Sequence, residues 1–332
     1  MSLLVVGSVA FDSIETPFGK ISKTLGGSAS YFSLAASFFT KPSVVAVVGN
    51  DFTDKYRKIL AKNKIDLSGL QTAKGKSFHW GGKYSFDLNN RETLFTHLNV
   101  FENFKPKLSE AHKKSSHIFL GNIHPSLQLE VLSQIKNPKL IGLDTMNFWM
   151  EKAPADLAKV LKLVDIFVIN DSEARELSKE HNLIKAAKKI IGMMKTTSPR
   201  PSPQEGRETA TLIIKRGEYG LLMFRSQPPS PSGRGVRGEG FLQIFHLPGF
   251  PLEDVTDPTG AGDSFAGGFM GYLCRVGSRP HPTWNDLKRA CVAGSVMASF
   301  SVEKLGTKRL LGIKDSDIKK RCDEFEKLTR FE

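Results

Sequence analysis

One stretch near the C-terminal third, Asp257-Pro258-Thr259-Gly260-Ala261-Gly262-Asp263-Ser264-Phe265-Ala266-Gly267-Gly268-Phe269, combines residue types that handle anions and protons. A Pro and two Gly give way to a small-residue apolar run from Ala266 to Leu273, the composition of a tight loop that opens a buried helix. A helix N-terminus presents unpaired N–H groups and the positive end of the helix dipole, so it can hold a phosphate or a developing phosphoryl charge. Gly260 and Gly262 let the backbone approach an anion closely. Asp263 is the odd residue. A carboxylate here would repel a phosphate unless it takes the proton from the hydroxyl that attacks that phosphate; the alternative is a simple helix cap.

Other candidates stand where apolar runs end. Asp12 follows the run from Ser2 to Val9, the place where open α/β sheets put ligands, and its carboxylate can accept hydrogen bonds from hydroxyls; a turn Asp is the alternative. Leu25-Gly26-Gly27-Ser28-Ala29-Ser30-Tyr31 repeats the passage from glycine loop to small-residue helix. Asp144-Thr145-Met146-Asn147 closes one strand and Asn170-Asp171-Ser172-Glu173 another, where Asp171 or Ser172 would also serve as an ordinary N-cap. Lys215-Arg216-Gly217 ends a further strand, either as cations for nucleotide phosphates or as a basic surface hairpin.

The long string at 257–263 resembles the signature of the ribokinase-like, or PfkB, family of carbohydrate and nucleoside kinases, Asp-Thr-x-Gly-Ala-Gly-Asp, with Pro258 in place of the Thr. The resemblance implies Asp263 as catalytic base and the amides of Gly260, Ala261 and Gly262 as anion hole. It implies Asp12, Gly26 and Gly27 on the acceptor, with Tyr31 where the family carries Asn. Asn170 and Glu173 match its Asn-x-x-Glu motif, with Glu173 placing Mg²⁺ through water, and Lys215 and Gly217 fall at its nucleotide site. The carbonyls of Asp257 and Thr259, with the turn 303–307, match a site for a monovalent cation such as K⁺.

These residues need a scaffold. From His117 onward strands and helices alternate, which predicts a parallel sheet with right-handed crossovers. The expected fold is α/β: a ribokinase-like three-layer sandwich, one domain over 1–332, with a mostly parallel central sheet and a small β-sheet lid built from about 11–24 and 71–100. In the second segment Phe78, Trp80, Tyr84, Phe86 and then Leu94, Phe95 and His97 alternate with polar residues around Asn89-Asn90, the pattern of a half-exposed hairpin. In the family such a sheet closes over the substrate and often forms a dimer surface.

Composition bounds the rest. The 332 residues, 40% of them hydrophobic, suffice for one large α/β core. Cys274, Cys291 and Cys322 are too few and too dispersed for a zinc motif or disulfide framework, which fits a reduced, cytoplasmic compartment. No apolar run is long enough to span a bilayer. The net charge of +13 is spread along helix faces without interleaved aromatics, which argues against a nucleic-acid partner. Segments 196–208 and 227–240 hold six of the 17 prolines and resemble each other; they are expected to be disordered inserts at the edge where the strands begin, away from the site. Gly233-x-Gly235-x-x-Gly238 leads into a strand and Gly75-Lys76-Ser77 lacks its first Gly, so neither is a phosphate loop. The expected activity is ATP- and Mg²⁺-dependent phosphorylation of a hydroxyl on a small sugar or polyol. A nucleoside kinase is the alternative, with Phe11, Tyr31, Phe78 and Trp80 to stack on a base, and a non-catalytic ligand-binding module is the remote one.

Overall fold

A computed structural model describes residues 1–194, 209–226, 242–277 and 281–329. The two proline-rich segments, 196–208 and 227–240, lie outside the described residues.

The strands form two sheets. In chain order they are β1 (Leu3–Val6), β2 (Ala10–Thr16), β3 (Gly19–Gly26), β4 (Pro42–Val48), β5 (Asp66–Thr72), β6 (His79–Tyr84), β7 (Arg91–His97), β8 (His117–Leu120), β9 (Leu140–Asp144), β10 (Ile166–Asn170), β11 (Thr211–Lys215), β12 (Leu221–Ser226) and β13 (Leu242–Leu247). The nine-stranded sheet has the order β13-β12-β11-β10-β9-β8-β1-β4-β5, and β12 alone runs against the others. Its inner strands are apolar on both faces because both are covered. Leu3, Val5, Phe119, Val168 and Ile213 join one core, while Leu4, Val6, Ile118, Phe167 and Ile214 join the other.

The first core is roofed by the helices Ser28–Ala36, Ala261–Val276 and Trp284–Ser301. Small residues bring these three together: a Cβ on Gly267 would lie 2.1 Å from the Phe32 carbonyl oxygen, and one on Gly268 2.8 Å from that of Ala293. The glycines of the signature run therefore set the seat of the helix that carries Asp263.

The smaller sheet has the order β3-β2-β6-β7. Two hairpins, β2–β3 and β6–β7, are joined by parallel pairing of β2 with β6. The hairpin around 85–90 falls where the alternating pattern puts it. The expected start of this region at 71 shifts, because Asp66–Thr72 is the edge strand of the large sheet, paired with β4, and the small sheet resumes at His79. As an edge strand it needs little apolar surface, so its polar sequence conceals it.

Candidate active site

All parallel strands point their C-terminal ends to one edge, and the chemistry-bearing residues gather there. Asn170 and Lys215 are paired at the ends of β10 and β11, and Asp144, paired with Val168, ends β9 alongside. Buried Gln128 fixes the ends of β8 and β9 by donating its amide to the carbonyls of Gly121 and Asp144 at 3.0 and 3.3 Å. The loop from β13 delivers Asp263 to the same edge.

That loop is shaped by its own bonds. Gly260 has φ +74°, left-handed backbone that favours glycine, and a Cβ there would meet the Tyr31 ring at 2.3 Å. The Asp257 carboxylate accepts the Thr259 N–H at 2.8 Å and the Gly306 N–H at 2.7 Å, which ties the loop to the 303–307 turn. Thr256 Oγ1 donates to the Glu303 carbonyl at 3.0 Å. Thr259 Oγ1 donates to the Tyr84 hydroxyl at 3.0 Å, so the last residue of β6 touches the loop from the small sheet. Of the three amides expected to face an anion, Ala261 N–H turns to the Pro258 carbonyl at 3.2 Å. Among the described residues the N–H groups of Gly260, Gly262 and Asp263 have no acceptor. The third of these was not singled out by the sequence pattern.

The electrostatics centre on Lys215. Burial by itself lowers its pKa, but Asp144, Glu173 and Asp263 outweigh that and hold it above the ordinary lysine range. Its Nζ lies 2.6 Å from where a Cβ on Gly262 would sit, so the amine rests on the glycine turn. Burial, then Asp144, pushes Asp263 up to about 7 against the pull of Lys215. Burial also raises Asp144, with Lys215 opposing. Glu173 is pushed to about 7 by burial and by Asp144, opposed by Lys215 and by its own hydrogen bond from the Asn170 N–H at 2.8 Å. Asn170 is the N-cap of helix Asp171–Ser178 and accepts the Glu173 N–H at 2.8 Å, a complete capping box. Neither Asp171 nor Ser172 is the cap. Gly217, at φ +57°, turns the chain after Lys215 with open space at its Cβ position.

The acceptor-side residues sit across the cleft. Asp12 on β2 is buried and lies on Gly26, where a Cβ would be 2.0 Å from its Oδ2. Burial raises Asp12 to about 7, while a hydrogen bond from the Gly27 amide favours its charged form. The paired glycines thus make room for this carboxylate. Tyr31 is 1% exposed and packs beneath Gly260, with its hydroxyl buried, lacking a hydrogen-bond partner and facing the negative charges of Asp12, Asp257 and Asp263. Phe11 is core, stacked among Phe52 and Tyr56, and Phe78 stacks on Phe101. Trp80 lies across Gly82, where a Cβ would be 2.2 Å from the indole. Arg91 stands over its ring at 5.2 Å. Asp144 and Arg91 had no role in the sequence reading. Asp144 carries the signal of a carboxylate at a strand end, whereas Arg91 arrives only through hairpin register.

No three His, Cys, Asp or Glu side chains among the described residues group tightly enough to enclose a metal ion. Such a site suits Mg²⁺ that keeps its waters and is shared with phosphates. Glu173 fits as a water-mediated holder through Oε1, since Oε2 accepts the cap N–H. No helix among the described residues is long and apolar enough to cross a membrane.

The chain matches the pfkB family of carbohydrate kinases over residues 2–312. It is 26% identical over 280 residues to the cytidine kinase of Thermococcus kodakarensis, covering 82% of this chain and 88% of that protein. Its fold is that of the ribokinase from Giardia lamblia, with TM-score 0.75 and 17% identity over 98% of this chain and 99% of the other. The nucleoside kinase of Burkholderia thailandensis, solved in complex with inosine, superposes with TM-score 0.71 and 18% identity over 97% and 98%.

Proposed function

The chain belongs to the pfkB family of carbohydrate kinases, and from that membership we propose that it moves the terminal phosphoryl group of ATP onto a hydroxyl of a nucleoside, with Asp263 as general base. The observation that carries the base is the partly open Asp263 carboxyl, held near neutrality at the edge of the Lys215, Asp144 and Glu173 cluster. A group that titrates near the working pH is the most effective proton acceptor. Asp263 takes the acceptor's hydroxyl proton, the oxygen forms its bond to the terminal phosphorus, and the bond from that phosphorus to the bridging oxygen breaks to release ADP. The N–H groups of Gly260, Gly262 and Asp263, at the N-terminus of helix Ala261–Val276, face the developing charge. Lys215 supplies a fixed positive charge beside them. When bound, Mg²⁺ neutralises phosphate oxygens. Asp12, seated on Gly26 and Gly27, orients the acceptor hydroxyls. Asp257 and Thr259 close the loop with their side-chain and N–H groups, so a monovalent cation such as K⁺ would take their carbonyl oxygens.

The nucleoside is favoured over a free sugar or polyol by the cytidine kinase relative and by the inosine-bound kinase of the same fold. The test is ADP formation with ATP and Mg²⁺ against nucleosides, pentoses, hexoses and inositols, beside Asp263→Asn. Turnover with a nucleoside that collapses in the variant is expected. Turnover with sugars alone overturns the acceptor, and full activity in the variant overturns the base. ATP binding without turnover on any acceptor would point to the binding-module alternative.

A further inference from the structure

We propose that Arg91, the first residue of β7, reaches from the small sheet to the transferred phosphoryl group and serves as the cation opposite Lys215. This rests on the phosphotransfer reading above and adds a residue to it.

Three contacts fix the position of Arg91. Its Cα is paired with Tyr84 across the β6–β7 hairpin, so the two side chains share one face of the small sheet. The Tyr84 oxygen accepts the Thr259 hydroxyl at 3.0 Å, one residue before Gly260, and also accepts from Arg91. The guanidinium stands 5.2 Å over the Trp80 ring, and Trp80 is the ladder partner of Asp12. The indole can lie flat because position 82 is glycine, where any Cβ would fall 2.2 Å from it. Gly82 thus sets the indole, and the indole and Tyr84 set the guanidinium.

Its charge is placed and unspent. Asp12 on the acceptor side and Glu173 on the nucleotide side both feel it, which puts the guanidinium at the boundary the phosphoryl group crosses. Lys215 acts on Asp144, Glu173 and Asp263, and Arg91 on Asp12 and Glu173; among the described residues no other cation shifts these four acids. Arg91 makes no ion pair among the described residues, although it faces this group of carboxylates. A planar fork of donors with no anion of its own matches the oxygens of a phosphoryl group in two-point fashion.

The experiment compares Arg91→Ala, Arg91→Lys and Tyr84→Phe with the wild-type chain by calorimetry and by turnover. With Mg²⁺ and no acceptor, Arg91→Ala should weaken ATP binding about tenfold or more while ADP binding stays unchanged, since only ATP carries the transferred group. The unchanged ADP affinity and thermal midpoint show that the variant is folded. With the acceptor that turns over, kcat should fall about 10²- to 10³-fold and acceptor KM stay within about threefold. Arg91→Lys should recover part of the loss, because it keeps the charge without the fork. Tyr84→Phe should show a smaller fall of the same kind. Equal losses for ATP and ADP, an unchanged kcat in Arg91→Ala, or a rise confined to acceptor KM would each overturn the assignment. If the wild type turns over no acceptor but its preference for ATP over ADP vanishes in Arg91→Ala, the phosphate contact stands and the acceptor reading falls.

Discussion

Asp12 and Asp263 are the same residue type in one cleft, and burial pushes each to about 7, yet they are built into the protein in opposite ways. Asp12 is 4% exposed, lies on Gly26 and takes a hydrogen bond from the Gly27 amide. Asp263 is partly open to solvent, accepts no hydrogen bond among the described residues and is balanced by one buried amine. A carboxylate pinned by donors is fixed in direction and suited to binding. One stabilised mainly by a neighbouring charge keeps its lone pairs for an incoming proton. The pKa alone therefore does not separate binder from base; the partners do.

The sharpest way to break this comparison is to neutralise each carboxylate in turn. Asp263→Asn should cut kcat about 10³-fold with acceptor KM little changed, whereas Asp12→Asn should raise acceptor KM about tenfold or more with a smaller loss in kcat. If both variants show the same pattern, the division of roles is wrong. In the wild type, kcat should rise with pH through about 7, because the base works only when deprotonated and burial places its titration there. A rate that is flat from pH 5 to 8 would remove Asp263 as base.

Glycine substitutions test the same contrast at lower cost. Gly262→Ala puts a methyl 2.6 Å from Lys215 Nζ, the mobile end of a long side chain, so the protein should fold and kcat should fall about tenfold. Gly26→Ala puts one 2.0 Å from Asp12 Oδ2 and should raise acceptor KM about tenfold. Circular dichroism alongside kinetics separates these effects from misfolding, and an exchange of the two phenotypes would reverse the assigned geography. The smallest effect is expected from removing 196–208 or 227–240. Both segments leave and rejoin the sheet where β11 begins and β12 ends, at the edge away from Asp263. Activity should stay within about twofold of wild type, and a large loss in a folded deletion variant would contradict that placement.

Much of this was legible in the sequence, for physical reasons. The buried strands read as continuous apolar runs because both sheet faces are covered, and the 257–269 string carries loop, helix start and carboxylate together. The apparent N-caps Asp171 and Ser172 were misleading because Asn170 can cap as well as they can, and Glu173 three residues on completes the box from that position. Tyr31 looked like an aromatic wall, but Gly260 has no side chain and the ring fills the space beneath it. Arg91 was invisible because its approach to the site depends on parallel pairing of β2 with β6, and no local periodicity encodes which strands become neighbours.

The way β11 and β12 are fastened bears on how such a chain can change length. The Ala210 N–H donates to Ser226 Oγ at 2.9 Å and the Ser226 N–H to the Ala210 carbonyl at 3.0 Å, so a buried clasp holds the two strand ends together. With the ends fixed, lengthening the connection costs only about 0.6 kcal/mol for each doubling. Evolution can therefore lengthen or shorten the chain at this junction almost without thermodynamic penalty, which makes it a natural place to graft a tag or reporter onto the enzyme.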